Sequence, residues 1–232
     1  MSAPALTLAA AATGATPRYR LAIFDFDGTL ADSGDWFLSI ADDLAERFRF
    51  RRVDSAEVEA LRGRTTREVI RHVGIPRWKL PAIARHIHKR LADETDRIEL
   101  FDGVAAMIDQ LVANGVRIAV VTSNAEHNAR AILGPALVAK IEMFECGASL
   151  FGKAPRFKRV LRKLGVAHAD AISIGDETRD LTAARKVGID AAAVLWGYAN
   201  RNILTALNPD AVFDSPAEVI AFMLGNQHEA VA

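Results

Sequence analysis

The chain has 232 residues, half of them hydrophobic and a quarter charged, and its 29 basic and 29 acidic side chains cancel. This is ordinary globular composition, long enough for one sizeable core plus a smaller unit, and the balanced charge offers no electrostatic footprint for nucleic acid or an anionic membrane surface. The lone cysteine, Cys146, excludes an intramolecular disulfide and fits a reducing cytoplasm, the expected location.

Residues 1–18 are rich in Ala and Thr and carry no Lys or Arg before Arg18. The charged leading region of a signal peptide is therefore missing, and a disordered tail is expected. No run approaches the roughly 18 uninterrupted apolar residues of a membrane helix. Leu21 to Phe24 reads as a buried strand within a run spanning about 21–26, and it leads into Asp25-Phe26-Asp27-Gly28-Thr29-Leu30. Side chains two apart on an extended segment share a face, so Asp25 and Asp27 can address one ligand at the strand's carboxyl end, where open α/β sheets bind. A carboxylate has a reference pKa of about 4 and is ionised near neutrality. Asp25 can then attack phosphorus without a separate base, giving an aspartyl phosphate. Two anions this close repel each other and an anionic substrate, which calls for a hard cation such as Mg²⁺ held by oxygen ligands. Asp27, if protonated in the complex, can give its proton to the leaving oxygen.

From Ser33 to about Asp96 the periodicity turns helical, as in Trp36, Phe37, Ile40, Leu44 and Phe48, with no convincing strand. Gly63 to Arg67 interrupts these helices, and Arg64 is a candidate to meet a substrate carboxylate or phosphate in a bidentate way. Trp36, His72, His86 and His88 read as packing or surface residues. Strands at about 117–122, 141–146, 171–175, 191–196 and 211–214 then alternate with helical patterns, Cys146 being taken as a buried member of the second. The class is α/β: a doubly wound, Rossmann-like parallel sheet with helices on both faces. The strand from Arg117 ends in Thr122, Ser123 and Asn124, the loop Gly152-Lys153-Ala154-Pro155 supplies a cation, and the strand from Ala171 ends in Gly175-Asp176-Glu177-Thr178-Arg179-Asp180. Singly, each of these runs is also what a solvated turn or a helix cap looks like. Their coincidence at the carboxyl ends of separate strands points to one phosphoryl-transfer site.

Asp25-Phe-Asp27-Gly28-Thr29-Leu30 resembles the opening motif of the haloacid dehalogenase superfamily, in its phosphatase branch, and the other three elements follow in that family's order over roughly Tyr19 to Leu224. The resemblance implies a core of residues 19–32 and 100–232 and an inserted small helical cap of residues 33–99. It implies Asp25 as nucleophile, Asp27 as acid and then base, and Thr122 binding the transferring phosphoryl group, with Ser123 as second claimant and Asn124 beside them. Lys153 would offset charge on nucleophile and phosphate, although Ala154 stands where the family has proline. Asp176, Asp25 and the backbone carbonyl of Asp27 would hold Mg²⁺. Asp180 would support the lysine or a metal-bound water, and Glu177 would join the outer shell or face solvent. The implied activity is Mg²⁺-dependent hydrolysis of a small phosphate monoester, with phosphoglycolate leading, by a monomer or homodimer without nucleic-acid or membrane partners. A sugar-phosphate mutase and a silent phospho-ligand or protein binder are the alternatives. Dehalogenases of the group lack the acid two residues on. Phosphonate hydrolases need an early cap lysine, and none occurs between Asp27 and Lys79.

Overall fold

In the computed structural model, which describes residues 16–147 and 152–225, the apolar runs bounded by polar turns become strands. The order is β1 (Leu21–Phe24), β2 (Ala31–Asp32), α1 (Gly34–Phe48), α2 (Ser55–Arg62), α3 (Thr66–His72), α4 (Leu80–Ala92), β3 (Glu99–Leu100), α5 (Val104–Ala113), β4 (Arg117–Val121) and α6 (Glu126–Val138). There follow β5 (Met143–Glu145), α7 (Ala154–Leu164), β6 (Ala171–Gly175), α8 (Thr178–Val187), β7 (Asp190–Val194), α9 (Arg201–Thr205), β8 (Ala211–Phe213) and α10 (Pro216–Leu224).

Six strands form one parallel sheet in the order β5-β4-β1-β6-β7-β8. Period-two alternation divides its apolar side chains between two faces. Ala22, Phe24, Ile118, Val120, Ile172 and Ile174 pack on Ile108 and Leu111 of α5 and on Val219 and Met223 of α10. Leu21, Ile23, Ala119 and Val121 pack on Phe157 and Val160 of α7 and on Leu181 and Ala184 of α8. Each large side chain so buried contributes about 1.5–3 kcal/mol, and helices on both faces make the sheet doubly wound. Register does the rest for the site. Phe24 lies opposite both Val120 and Ile174, so the residues just past β1, β4 and β6 share one edge.

Some boundaries differ from the sequence expectation. β1 ends at Phe24 because the chain turns sharply: Gly28 has φ +79°, and the N–H groups of Leu30 and Ala31 donate to Phe26 O at 2.8 and 2.9 Å. β5 ends at Glu145, so Cys146 stands beyond the strand and is only half-buried. Its surroundings still push the thiol up to about 12, chiefly by burial. β7 starts at Asp190 and ends at Val194 instead of spanning 191–196. Of the expected N-terminal tail, residues 1–15 lie outside the described residues, whereas Arg18 is anchored, its N–H donating to Met223 O at 2.8 Å.

The helical stretch between β2 and β3 is bracketed by that antiparallel pair, Ala31 opposite Leu100. Two-residue strands carry no period, so the sequence offered no sign of them. Within the stretch, Asp54 caps α2 by accepting from Glu57 N, and Thr65 with Glu68 forms a capping box on α3. Trp36, Ile40 and Leu44 of α1 and Leu91 of α4 belong to the same buried cluster as Phe24 and Ile118 of the sheet. Among the described residues no helix is long and apolar enough to cross a membrane.

Candidate active site

Asp25 directly follows β1 and is buried. Its Oδ1 accepts from the N–H of Phe26 at 2.7 Å, while Oδ2 has no hydrogen-bond partner. Lys153 Nζ lies 2.6 Å from that Oδ2, and 2.5 Å from Asp180 Oδ1. The close approach to Asp25 lacks hydrogen-bond alignment, so Oδ2 keeps its lone pairs for another partner. Burial alone would lower the pKa of Lys153, but Asp180 and Asp25 outweigh it and the ammonium stays charged.

Asp27 has partners of its own. Its Oδ1 accepts from Ser33 Oγ at 3.0 Å, and Asn124 Nδ2 lies 3.2 Å from both carboxylate oxygens. Ser33 Oγ also meets the Tyr198 hydroxyl at 2.6 Å. Enclosure and then the charge of Asp25 push the Asp27 carboxyl up to about 6, within reach of a proton-carrying role near neutrality. Asn124 is thus turned toward Asp27, and its Oδ1 accepts from Ala125 N at 2.8 Å. Thr122, just past β4, is fully buried, and its Oγ1 accepts from Asn124 N at 2.9 Å. Its O–H bond can still donate. Ser123 is half-buried beside it.

Asp176, just past β6, accepts from Thr29 Oγ1 at 2.9 Å on Oδ1 and from Tyr198 N at 2.8 Å on Oδ2. Asp180 reaches back from α8 to accept from Glu177 N at 3.0 Å. Single oxygens of Asp25, Asp176 and Asp180 all lie within 4.8 Å of one another. Burial, then the charges of Glu177, Asp25 and Asp180, raise Asp176 well above the usual carboxylate range. Two glycines are required by this packing. A Cβ on Gly28 would sit 2.4 Å from Asp176 Oδ2, and one on Gly197 would sit 2.3 Å from both Asp176 Cβ and Gly28 O.

The donor set fits a hard divalent cation. It offers buried carboxylate oxygens, a free Oδ2 on Asp25, and more acids than the two cations Lys153 and Arg179 can balance. The third carboxylate grouped with Asp25 and Asp176 is that of Asp180, expected only in a supporting role, whereas the side chain of Asp27 faces Ser33 and Asn124. Arg64 is exposed, with NH1 3.3 Å from His72 Nδ1. Residues missed by the sequence reading are Ser33, Arg62, Arg179 and Tyr198. Arg62 donates to Tyr198 O and Gly197 O, both at 3.0 Å, joining α2 to the loop that covers Asp176. Arg179 was visible inside the acidic run, but nothing in the spacing showed which way it faces.

The family model for haloacid dehalogenase-like hydrolases matches residues 22–194. A phosphoglycolate phosphatase of Synechococcus elongatus is 31% identical over 199 residues, covering 85% of this chain and 94% of that protein. The tyrosine-protein kinase PtkA of Mycobacterium tuberculosis is 29% identical over 199 residues, covering 84% of this chain and 68% of that protein. A solved haloacid dehalogenase-like family hydrolase from Streptococcus pneumoniae superposes with a TM-score of 0.73 at 20% identity, covering 88% of this chain and 98% of that one. At that identity the superposition speaks for the fold.

Proposed function

The chain belongs to the haloacid dehalogenase-like hydrolases, and from that premise we propose that it is a Mg²⁺-dependent phosphatase of small phosphate monoesters working through an aspartyl phosphate on Asp25. The observation that carries this reading is the buried Asp25 Oδ2, free of hydrogen bonds and 2.6 Å from the Lys153 ammonium. A nucleophile needs a free lone pair, and an anion attacking a phosphate needs a cation beside it.

Asp25 Oδ2 attacks phosphorus in line, and the bond from phosphorus to the ester oxygen breaks as the new one forms. Asp27, held by Ser33 and Asn124, delivers its proton to the departing alkoxide. Water then attacks phosphorus of the aspartyl phosphate, Asp27 takes that water's proton, and the bond from phosphorus to Asp25 Oδ2 breaks, restoring Asp25 and releasing inorganic phosphate. Lys153 and the Thr122 hydroxyl address the phosphoryl oxygens. Asp25, Asp176 and the carbonyl of Asp27 are proposed to hold Mg²⁺, with Asp180 beside them. When bound, the cation neutralises charge that builds on the phosphoryl oxygens. Residues 33–99 are proposed as a cap over the site, excluding bulk water during transfer. Phosphoglycolate is the first ester to test, on the strength of the Synechococcus relative.

The test is phosphate release from a panel of small monoesters, with Mg²⁺, with chelator, and with Asp25→Asn. The expected outcome is turnover lost with chelator and reduced more than about 10⁴-fold in the mutant. A folded Asp25→Asn protein with wild-type activity sinks the nucleophile assignment. Phosphate release also separates hydrolysis from the phosphoryl transfer of a kinase or a mutase, which leaves no free phosphate.

A further inference from the structure

We infer that Arg179 is a second cationic ligand for the transferring phosphoryl group, an inference that rests on the phosphatase reading and adds a residue to it. Arg179 is the second residue of α8. A cation there opposes the positive end of the helix dipole, where anions are favoured, so its placement needs an explanation from outside the helix. Its side chain is only 15% exposed, and NH2 lies 3.9 Å from Asp25 Oδ2. Nε lies 3.1 Å from Glu177 Oε2, yet neither Nε nor NH1 makes a hydrogen bond.

A buried guanidinium with unsatisfied N–H groups is costly, since each lost partner costs about 1–3 kcal/mol. The acids around it explain why a cation is tolerated. They do not use its remaining donors. An anion bound against Asp25 would lie beside the guanidinium, whose NH2 is 3.9 Å from Asp25 Oδ2, and the planar fork of arginine suits two oxygens of one tetrahedral phosphate. Lys153, which approaches the same Asp25 Oδ2 at 2.6 Å, already donates to Asp180 Oδ1 at 2.5 Å. The two cations are therefore complementary: Lys153 offsets the nucleophile and meets the transferring group as a single ammonium, whereas Arg179 offers that group a fork of donors. Glu177, which lies against Arg179, also accepts from Thr66 Oγ1 of α3 at 2.5 Å, so the orientation of the guanidinium is tied to the helical insertion.

The experiment compares wild type, Arg179→Gln and Arg179→Lys, loaded with Mg²⁺, in two measurements: calorimetric binding of inorganic phosphate, and kcat and KM on the best monoester of the panel. Circular dichroism and Tm are taken for each protein. Arg179→Gln is expected to lower kcat/KM by about 100-fold, the scale of losing one transition-state donor, and to weaken phosphate binding at least tenfold. Arg179→Lys should recover part of both, keeping the charge but not the fork. A merely structural arginine would lower Tm without weakening phosphate binding, and that result overturns the assignment. Wild-type turnover together with Arg179→Gln values within twofold of wild type also overturns it and leaves the phosphatase reading standing. If no monoester is turned over, the phosphatase reading fails, while phosphate binding lost in Arg179→Gln still upholds the arginine. A wild type that neither turns over esters nor binds phosphate overturns both.

Discussion

The floor of the site and the helical stretch between β2 and β3 handle polar groups in opposite ways. At the sheet edge, Asp25, Thr122, Lys153, Asp176 and Asp180 are all buried, Lys153 standing between Asp25 and Asp180 while Asp25 Oδ2 keeps no hydrogen bond. In the helical stretch, charges pair at the surface: Arg51 with Glu57, Arg52 with Glu46, Arg90 with Asp43. Exposed pairs of that kind contribute at most about 1 kcal/mol each, whereas truncating one partner of a buried pair strands the other. The contrast separates a region of close-set buried charges from one held in place by apolar packing. Side chains that bridge them include Ser33 to Asp27, Arg62 to the loop at Gly197 and Tyr198, and Thr66 to Glu177.

The largest expected effect comes from breaking the floor itself. Gly197→Ala puts a methyl group 2.3 Å from Gly28 O and from Asp176 Cβ, and neither backbone can yield cheaply. Overpacking of this kind costs about 1–3 kcal/mol, and displacement of Asp176 by about 1 Å should cost roughly 100-fold in kcat. Thermal melts and steady-state kinetics measure the two parts. Wild-type kcat in this variant would show that the floor is not rigid.

The next prediction concerns the helical stretch, whose Leu91 is 2% exposed and shares a cluster with the sheet. Leu91→Ala should remove about 2–5 kcal/mol. Because the core is continuous, melting followed by circular dichroism and by tryptophan fluorescence, with Trp36 in α1 as a reporter, should coincide in one transition. Fluorescence that leads circular dichroism would show that the two regions unfold separately. The smallest effect is assigned to a bridge. Thr66→Val removes one hydrogen bond to a charged partner, worth about 1.5–3 kcal/mol at most, and should lower kcat/KM roughly tenfold while Tm changes little. An unchanged kcat/KM would remove Thr66 from any link between the insertion and the site.

Much of this was readable in the chain because its causes are local. Apolar runs of four or five residues ending in polar turns marked β1, β4 and β6, and the acids that follow them inherit their position from the strand before. The α/β alternation and the strand-free stretch after Ser33 are read the same way, from periods of 2 and 3.6. Strand ends were less readable: β5 stops short of Cys146, and β2 and β3 are too short to show a pattern.

What the sequence determined by itself, then, was the class of fold and which carboxylates, hydroxyl and lysine follow which strand, because backbone period and strand order depend on neighbours a few residues away. The tertiary structure alone decided that Tyr198 covers Asp176, that Ser33 and Asn124 hold Asp27, that Arg64 faces solvent, and that Arg179 turns inward beside Asp25. Those outcomes depend on contacts between residues as far as 165 positions apart, as between Ser33 and Tyr198, and on how burial prices each polar group once the strands have brought them to one edge.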